Sequence, residues 1–194
     1  MADTRGFEVL THAHAYLAET VASVGQSAWG APTPCSEWTV LHHARVDQQA
    51  YGLAITVGRP DSDPFHPADA LDGDPAAKPD KVLRQVANAC AGLPADADQV
   101  PTPLGPLPPR IATGAAAMDA AVHAWDIAVA TSQDRPLSPE LAEGIWPAAD
   151  HLVDRLRDAY RVFAPAVEGS RHHDPAEALL AFLGRDPHWT PASS

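Results

Sequence analysis

The sequence predicts an all-α fold: a bundle of four long helices followed by additional C-terminal helices. Three observations lead there. Apolar residues recur at steps of three and four in several segments. No segment alternates with the period of two that a half-buried strand needs. Prolines gather between the periodic segments, where they punctuate loops. The 20 prolines are many, but this clustering separates them from the even spread of a disordered chain. At 194 residues the chain can bury a core without covalent staples. It reads as a single domain over 1–194, with the bundle over about 4–131 and a helical extension over about 138–184.

Each element has its own signals. Thr4 can cap a first helix reaching about Val24, with Phe7, Leu10, His14, Leu17 and Val21 on one face and Gly25 as its stop. A turn from Trp29 to Trp38 contains Pro32 and Pro34. Ser36 or Thr39 can then cap a second helix running to about Thr56. A polar loop rich in Pro and Asp, Gly58 to Asp80, leads to a third helix from Pro79 or Asp80 to Leu93, spaced by Val82, Val86, Ala89 and Cys90. The loop Pro94 to Pro109 is extended, and Val100 to Leu107 could make a short extended piece whose prolines bar it from a sheet interior. The fourth helix, Ile111 to Thr131, is alanine-rich and free of proline. Ser138 caps the next, with Pro139 first and Glu140 close behind; it reaches about Phe163, with an irregularity expected at Pro147. Asp174 and Pro175 start a short last helix, Ala176 to Leu183, ended by Gly184.

Composition narrows the function. Lys plus Arg is 13 and Asp plus Glu is 25, so the formal charge is 13 − 25 = −12, which repels phosphate backbones and anionic lipid. Neither nucleic acid nor a membrane is therefore an expected partner. No apolar run reaches spanning length, and Met1 to Gly6 lacks the basic-then-apolar layout of a signal peptide, so the cytoplasm is the expected compartment. Cys35 and Cys90 have no partner at CxxC spacing, and Cys35, after Pro34, reads as a small buried residue.

Chemistry concentrates in the fourth helix. Asp119 and His123 stand four residues apart on one face, close enough for a carboxylate oxygen and an imidazole nitrogen to share one metal ion at about 2 Å each. Asp126 follows three residues later on the same stripe, and Ala115, Ala116, Ala117, Ala120, Ala121 and Ala124 leave room around it. On spacing alone, such a pair is more often a surface or helix-stabilising contact than a metal site. A third ligand must come from elsewhere. Of the adjacent His42 and His43, only one can face the core, and His43 fits the apolar side better; a single histidine there is more often a satisfied core residue.

The stretches Pro32-Thr33-Pro34-Cys35-Ser36-Glu37-Trp38-Thr39-Val40 with His43, Val122-His123-Ala124-Trp125-Asp126-Ile127-Ala128, and Phe182-Leu183-Gly184-Arg185-Asp186-Pro187 resemble the actinobacterial, single-domain branch of the DinB-like metal-binding superfamily. That superfamily includes the mycothiol-dependent maleylpyruvate isomerases and related thiol transferases. The resemblance covers nearly the whole chain. It implies a DinB-like four-helix bundle holding a divalent metal, zinc first and nickel second. One histidine comes from the second helix, and a carboxylate and a second histidine come from a later one: here His43, Asp119 and His123, with Asp126 as an acidic residue of the active site. Relatives carry about three more residues, nearly one helical turn, between the Trp-Thr-Val element and the ligand histidine. Asp47-Gln48-Gln49-Ala50-Tyr51 still aligns behind His43, which places the deletion before it; the alternative would put Val46 at the ligand position.

The chemistry implied is thiol chemistry. A divalent cation with two neutral histidines and one aspartate has a charge of +1 and an open position, where a thiol binds readily as thiolate. The leading expectation is a mycothiol-dependent transferase or isomerase acting on an electrophilic small molecule. Asp126 would serve as anchor or proton acceptor. The alternatives are a hydrolase using metal-activated water, and a non-catalytic metal-binding or stress protein, for which His14 could supply a fourth ligand. Isomerases of the superfamily carry a further C-terminal domain that this chain is too short to hold. A monomer or a homodimer is expected. Trp29, Trp38 and Trp146 read as anchors of core or loops. Trp125 reads as pocket wall or packing, His151 with Arg155 as a solvated pair, and His172-His173 as an exposed loop pair. The acidic stretch Asp61 to Asp74 lacks the spacing of a calcium loop.

Overall fold

The structure, a computed structural model, describes residues 4–36, 38–44, 80–94, 96–102, 104–167 and 174–192. Among them are six helices: α1 (Thr4–Ala22), α2 (Val40–Ala44), α3 (Asp80–Ala91), α4 (Pro109–Ala130), α5 (Pro139–Tyr160) and α6 (Pro175–Phe182). The described residues contain no strand and only two isolated bridges, Pro32 with Thr39 and Val100 with Leu107. The all-α reading holds. The expected continuation of the second helix to Thr56, with Val46 and Tyr51, and the acidic loop lie outside the described residues, as does His172-His173.

α4 is the axis of the fold. Its run of small side chains is buried almost along its whole length, from Ile111 to Ala130. α1 lays Leu10, Ala13, Leu17 and Val21 against it; Phe7, expected on that face, is 40% exposed at the helix start. Small residues set how closely the helices approach. A Cβ on Gly114 of α4 would come within 2.8 Å of the Ala148 Cβ on α5. One on Gly144 of α5 would meet Val9 Cγ2 of α1 at 2.5 Å. Beyond α4, Gln133 donates through Nε2 to the Thr20 carbonyl (3.1 Å), and Tyr16 donates its hydroxyl to the Arg135 carbonyl (2.7 Å). The C-terminal ends of α1 and α4 therefore lie together, and the two helices run in the same direction.

The caps follow the sequence signals. Ser138 accepts from the Leu141 N–H, and Asp174 from the N–H groups of Ala176 and Glu177. α5 continues as helix through Pro147 and stops at Tyr160, short of Phe163. Arg161 turns left-handed (φ 56°); its N–H donates to the Arg157 carbonyl and the Val162 N–H to that of Leu156. The loop 96–108 folds back through the Val100–Leu107 bridge and buries Val100, Leu104 and Leu107 on Ile111, Leu152 and Leu156.

The chain reverses tightly after α6. Gly184 is left-handed (φ 75°) and its N–H reaches the Ala181 carbonyl, while the Arg185 N–H reaches that of Leu180. A Cβ on Gly184 would lie 2.5 Å from the Ala164 carbonyl oxygen, so only glycine fits. The reversal turns Arg185 back into the core, where it is 6% exposed.

Candidate metal centre

Three segments meet around α4. The first is the strap 29–39, tied to itself by the Pro32–Thr39 bridge and by Val40 N–H to the Ala31 carbonyl (3.1 Å). It leads into α2, where Thr39 and His42 cap each other: the Thr39 N–H donates to His42 Nδ1 (3.0 Å). That reciprocal cap keeps His42 on the outer side and turns His43, the next residue, fully inward. The second is α4, carrying Asp119, His123 and Asp126. The third is the turn after α6, carrying Arg185.

His43 Nδ1 lies 2.7 Å from His123 Nδ1 and 3.5 Å from Asp126 Oδ2. One ligand atom from each of His43, His123 and Asp126 falls within 4.8 Å of the others, the one such trio among the described residues. Asp119, expected from the sequence as the carboxylate ligand, stands elsewhere: its Oδ1 is 3.4 Å from His123 Nε2, the opposite edge of the ring. The structure thus brings His43 and His123 together, adds Asp126 to them, and sets Asp119 behind His123. Two groups to which the sequence assigned no role complete the frame. Thr33 Oγ1 lies 2.8 Å from His43 Nε2, and Arg185 donates through a guanidinium nitrogen to Asp126 Oδ2 (3.1 Å). Both sit inside the segments that carried the family resemblance, but nothing in their local spacing marks them.

Counting protons shows what the cluster lacks. Thr33 donates its one hydroxyl proton to the Trp38 carbonyl (2.8 Å) or that of Cys35 (3.1 Å), so it accepts from His43 Nε2–H. His43 then presents a bare Nδ1. The short contact between the two Nδ1 atoms takes a second proton, from His123. Asp119 beside His123 Nε2 draws a third, yet two neutral rings hold only two. A third proton on His123 would satisfy all three contacts. So would a cation between the Nδ1 atoms, which frees the His123 proton for Nε2 and Asp119, the arrangement that orients metal-bound histidines.

The donor set fits a divalent metal in other respects. Asp126 Oδ1 is buried without a hydrogen-bond partner. Two ligands at about 2.0–2.1 Å from one tetrahedral ion stand about 3.3–3.4 Å apart. The His43–Asp126 distance of 3.5 Å already has that spacing, whereas the 2.7 Å between the rings requires a small opening.

Burial dominates the electrostatics. It drives the His43 imidazole down to about 2, with His123, Arg185 and His42 adding in the same direction, so the ring is neutral. It also raises the Asp126 carboxyl, against the pull of Arg185. Arg185 and Asp126 are a buried ion pair with a single contact, and the Arg185 Nε, like Asp126 Oδ1, has no hydrogen-bond partner. Trp38 lies parallel to His123 (5.6 Å between centroids, 10° between planes) and covers that face of the ring. Cys35, expected to be buried, is half-buried. Trp125 is buried packing, whereas Trp146 is exposed against Phe182.

Comparison with known proteins shows the family. Residues 10–128, which carry both histidines and both aspartates, match the family described as the mycothiol maleylpyruvate isomerase N-terminal domain. The chain belongs to this family. Its relatives include two Mycobacterium tuberculosis proteins from different strains, the uncharacterized proteins Rv0738 and MT0763, each 36% identical over 172 residues, covering 87% of this chain and 91% of theirs. No solved structure matches the chain. As a member, the chain is DinB-like and related to mycothiol proteins, and its three-residue cluster could bind a metal. Among its described residues, no helix is long and apolar enough to cross a membrane.

Proposed function

We propose that this protein is a cytoplasmic, divalent-metal enzyme that uses mycothiol as its thiol and an electrophilic small molecule as its second substrate, as a transferase or an isomerase. The observation that carries the reading is the convergence of His43, His123 and Asp126 around one point in a chain of this family. His43 and His123 would supply nitrogens through Nδ1, and Asp126 an oxygen. Asp119 would hold the far edge of His123, and Thr33 the far edge of His43. The expected assignment of Asp119 as the ligand and Asp126 as the catalytic acid or base exchanges those two carboxylates. The distances favour Asp126 in the cluster, and the metal content of Asp126→Asn beside that of Asp119→Asn separates the two assignments.

A bound zinc or nickel ion would supply the positive charge that keeps a thiol in its thiolate form. The chain's own groups do the rest. Asp126 offers the unpartnered Oδ1, which can hold the proton that the thiol loses. Arg185 favours the charged form of Asp126, against the burial that raises its carboxyl. Trp38 excludes water from one face of His123. The thiolate forms a sulfur–carbon bond with the electrophile; the electron pair displaced at carbon takes up the proton in maleylpyruvate or an epoxide, and in monochlorobimane it leaves with chloride while the proton passes to solvent. In an isomerisation the same bond breaks again after rotation, and the thiol is returned unchanged.

The test incubates zinc- or nickel-loaded protein and mycothiol with maleylpyruvate, monochlorobimane and an epoxide in turn. A product that requires mycothiol, His43 and His123 is the expected result. The absence of a mycothiol-dependent product with every electrophile would overturn the reading.

A further inference from the structure

His43, His123 and Trp38 form a triangle of rings. Their centroids lie 5.0 Å apart from His43 to His123, 5.2 Å from Trp38 to His43 and 5.6 Å from Trp38 to His123. The three contacts differ in kind. Trp38 meets His43 at 56° and the two imidazoles meet at 46°, whereas Trp38 and His123 are within 10° of parallel. The last is an offset stack, flat face along flat face.

The two histidines are held differently. His43 is fully buried and pinned at Nε2 by Thr33 (2.8 Å). His123 meets His43 at Nδ1 (2.7 Å) and Asp119 at Nε2 (3.4 Å). Those two contacts lie at opposite edges of the ring. They set how the ring is turned within its own plane and leave the tilt of that plane open. α4 does little to fix the tilt. Helical side chains lean over the preceding turn, which for His123 holds Asp119 and Ala120, a carboxylate at the ring edge and a methyl group. The flat contact comes from Trp38, on another segment.

Trp38 is itself fixed by the strap. Its N–H donates to the Cys35 carbonyl (2.9 Å), and its carbonyl accepts from the Thr33 hydroxyl (2.8 Å). The next residue closes the Pro32–Thr39 bridge. The backbone of the strap therefore sets where the indole stands against α4.

We propose that Trp38 is a positioning residue of the metal centre: its indole holds the plane of His123 so that the Nδ1 lone pair points at the ion shared with His43 and Asp126. The lone pair of an imidazole nitrogen lies in the ring plane, so tilting the ring carries it off the ion. Binding constellations work within about 10–20° of their productive geometry, and the stack keeps His123 in that range. The inference rests on the metal centre of the proposed function and is independent of which thiol or electrophile the site takes.

The experiment compares full-length wild type, Trp38→Phe and Trp38→Leu. Phe keeps a flat face, and Leu keeps an apolar group without one. Zinc affinity is measured by chelator competition, and Tm by scanning calorimetry on metal-free protein. The visible absorption of cobalt-loaded protein reports the coordination geometry. Trp38→Leu is expected to bind zinc about tenfold or more weakly and to change the cobalt spectrum. Trp38→Phe is expected to recover most of the affinity and the wild-type spectrum, with a metal-free Tm close to that of Trp38→Leu.

If both variants bind zinc as wild type does, with the same cobalt spectrum, the proposal is overturned and the metal centre stands. If zinc affinity falls equally in both, in step with metal-free Tm, Trp38 is a packing residue and the proposal is equally overturned. A wild type that takes up neither zinc nor cobalt overturns the metal centre and this inference together. Failure of every thiol assay, with the difference between Phe and Leu intact, overturns the proposed reaction and supports the role of Trp38.

Discussion

His43 Nδ1 and His123 Nδ1 meet at 2.7 Å across 80 residues of sequence, one from a helix of five described residues and the other from the most buried helix of the fold. The contact depends on Thr33. By taking the His43 Nε2 proton, Thr33 leaves Nδ1 bare and aimed at its partner. Removing that hydroxyl should release the ring. Thr33→Val is expected to cost about 1–3 kcal/mol in urea unfolding and to weaken zinc binding about 10–100-fold. Unchanged zinc affinity would mean that Thr33 does not orient His43.

Arg185 and Asp126 form the buried ion pair of the site. Truncating one partner leaves an uncompensated charge in the core. Arg185→Met is therefore expected to cost roughly 3–5 kcal/mol, and adding Asp126→Leu should return much of it. Denaturant midpoints of the two single variants and the double variant measure the coupling. Additive losses would show that the pair is not coupled in solution.

The metal-free protein should lose stability on acidification. The His14 and His43 imidazoles sit at about 4 and about 2 in the fold, below the ordinary histidine value near 6.5. Between those values the unfolded chain binds protons that the native state refuses, so stability is complete above about pH 6.5 and falls as pH drops. By pH 5 the loss is on the order of 2 kcal/mol for each ring. Asp126, held above the ordinary carboxyl value, works in the opposite direction and reduces the total. Urea unfolding at pH 7.5 and pH 5 reads the difference. An unchanged midpoint would show that both rings take up protons in the folded state.

Much of the fold was legible in the sequence because its signals are local. Ser138 and Asp174 cap the helices they were expected to cap, and Gly184 turns left-handed where a stop was expected. Pro147 was expected to disturb α5, and the helix continues through it. The His43–His123 pairing was legible through the i, i+4 spacing on α4 and the family resemblance. Which carboxylate stands on the Nδ1 side of His123 was not, because both lie on the same stripe as His123. Which edge of the ring each meets depends on the orientation of that ring, and this is fixed by His43 and Trp38 from another segment. Arg185 was equally hidden: it lies 59 residues from Asp126, and only the reversal at Gly184 brings the two together.

The most direct test of the metal centre is metal content by elemental mass spectrometry, on tag-free protein reloaded with zinc or nickel. Wild type would stand beside His43→Ala, His123→Ala, Asp126→Asn and Asp119→Asn. The expected result is near one ion per chain in wild type, loss in the His43, His123 and Asp126 variants, and retention with about 10–100-fold weaker affinity in Asp119→Asn. Retention in Asp126→Asn with loss in Asp119→Asn would move the ion to the Nε2 edge of His123. A wild type that holds no metal after reloading would contradict the metal centre altogether.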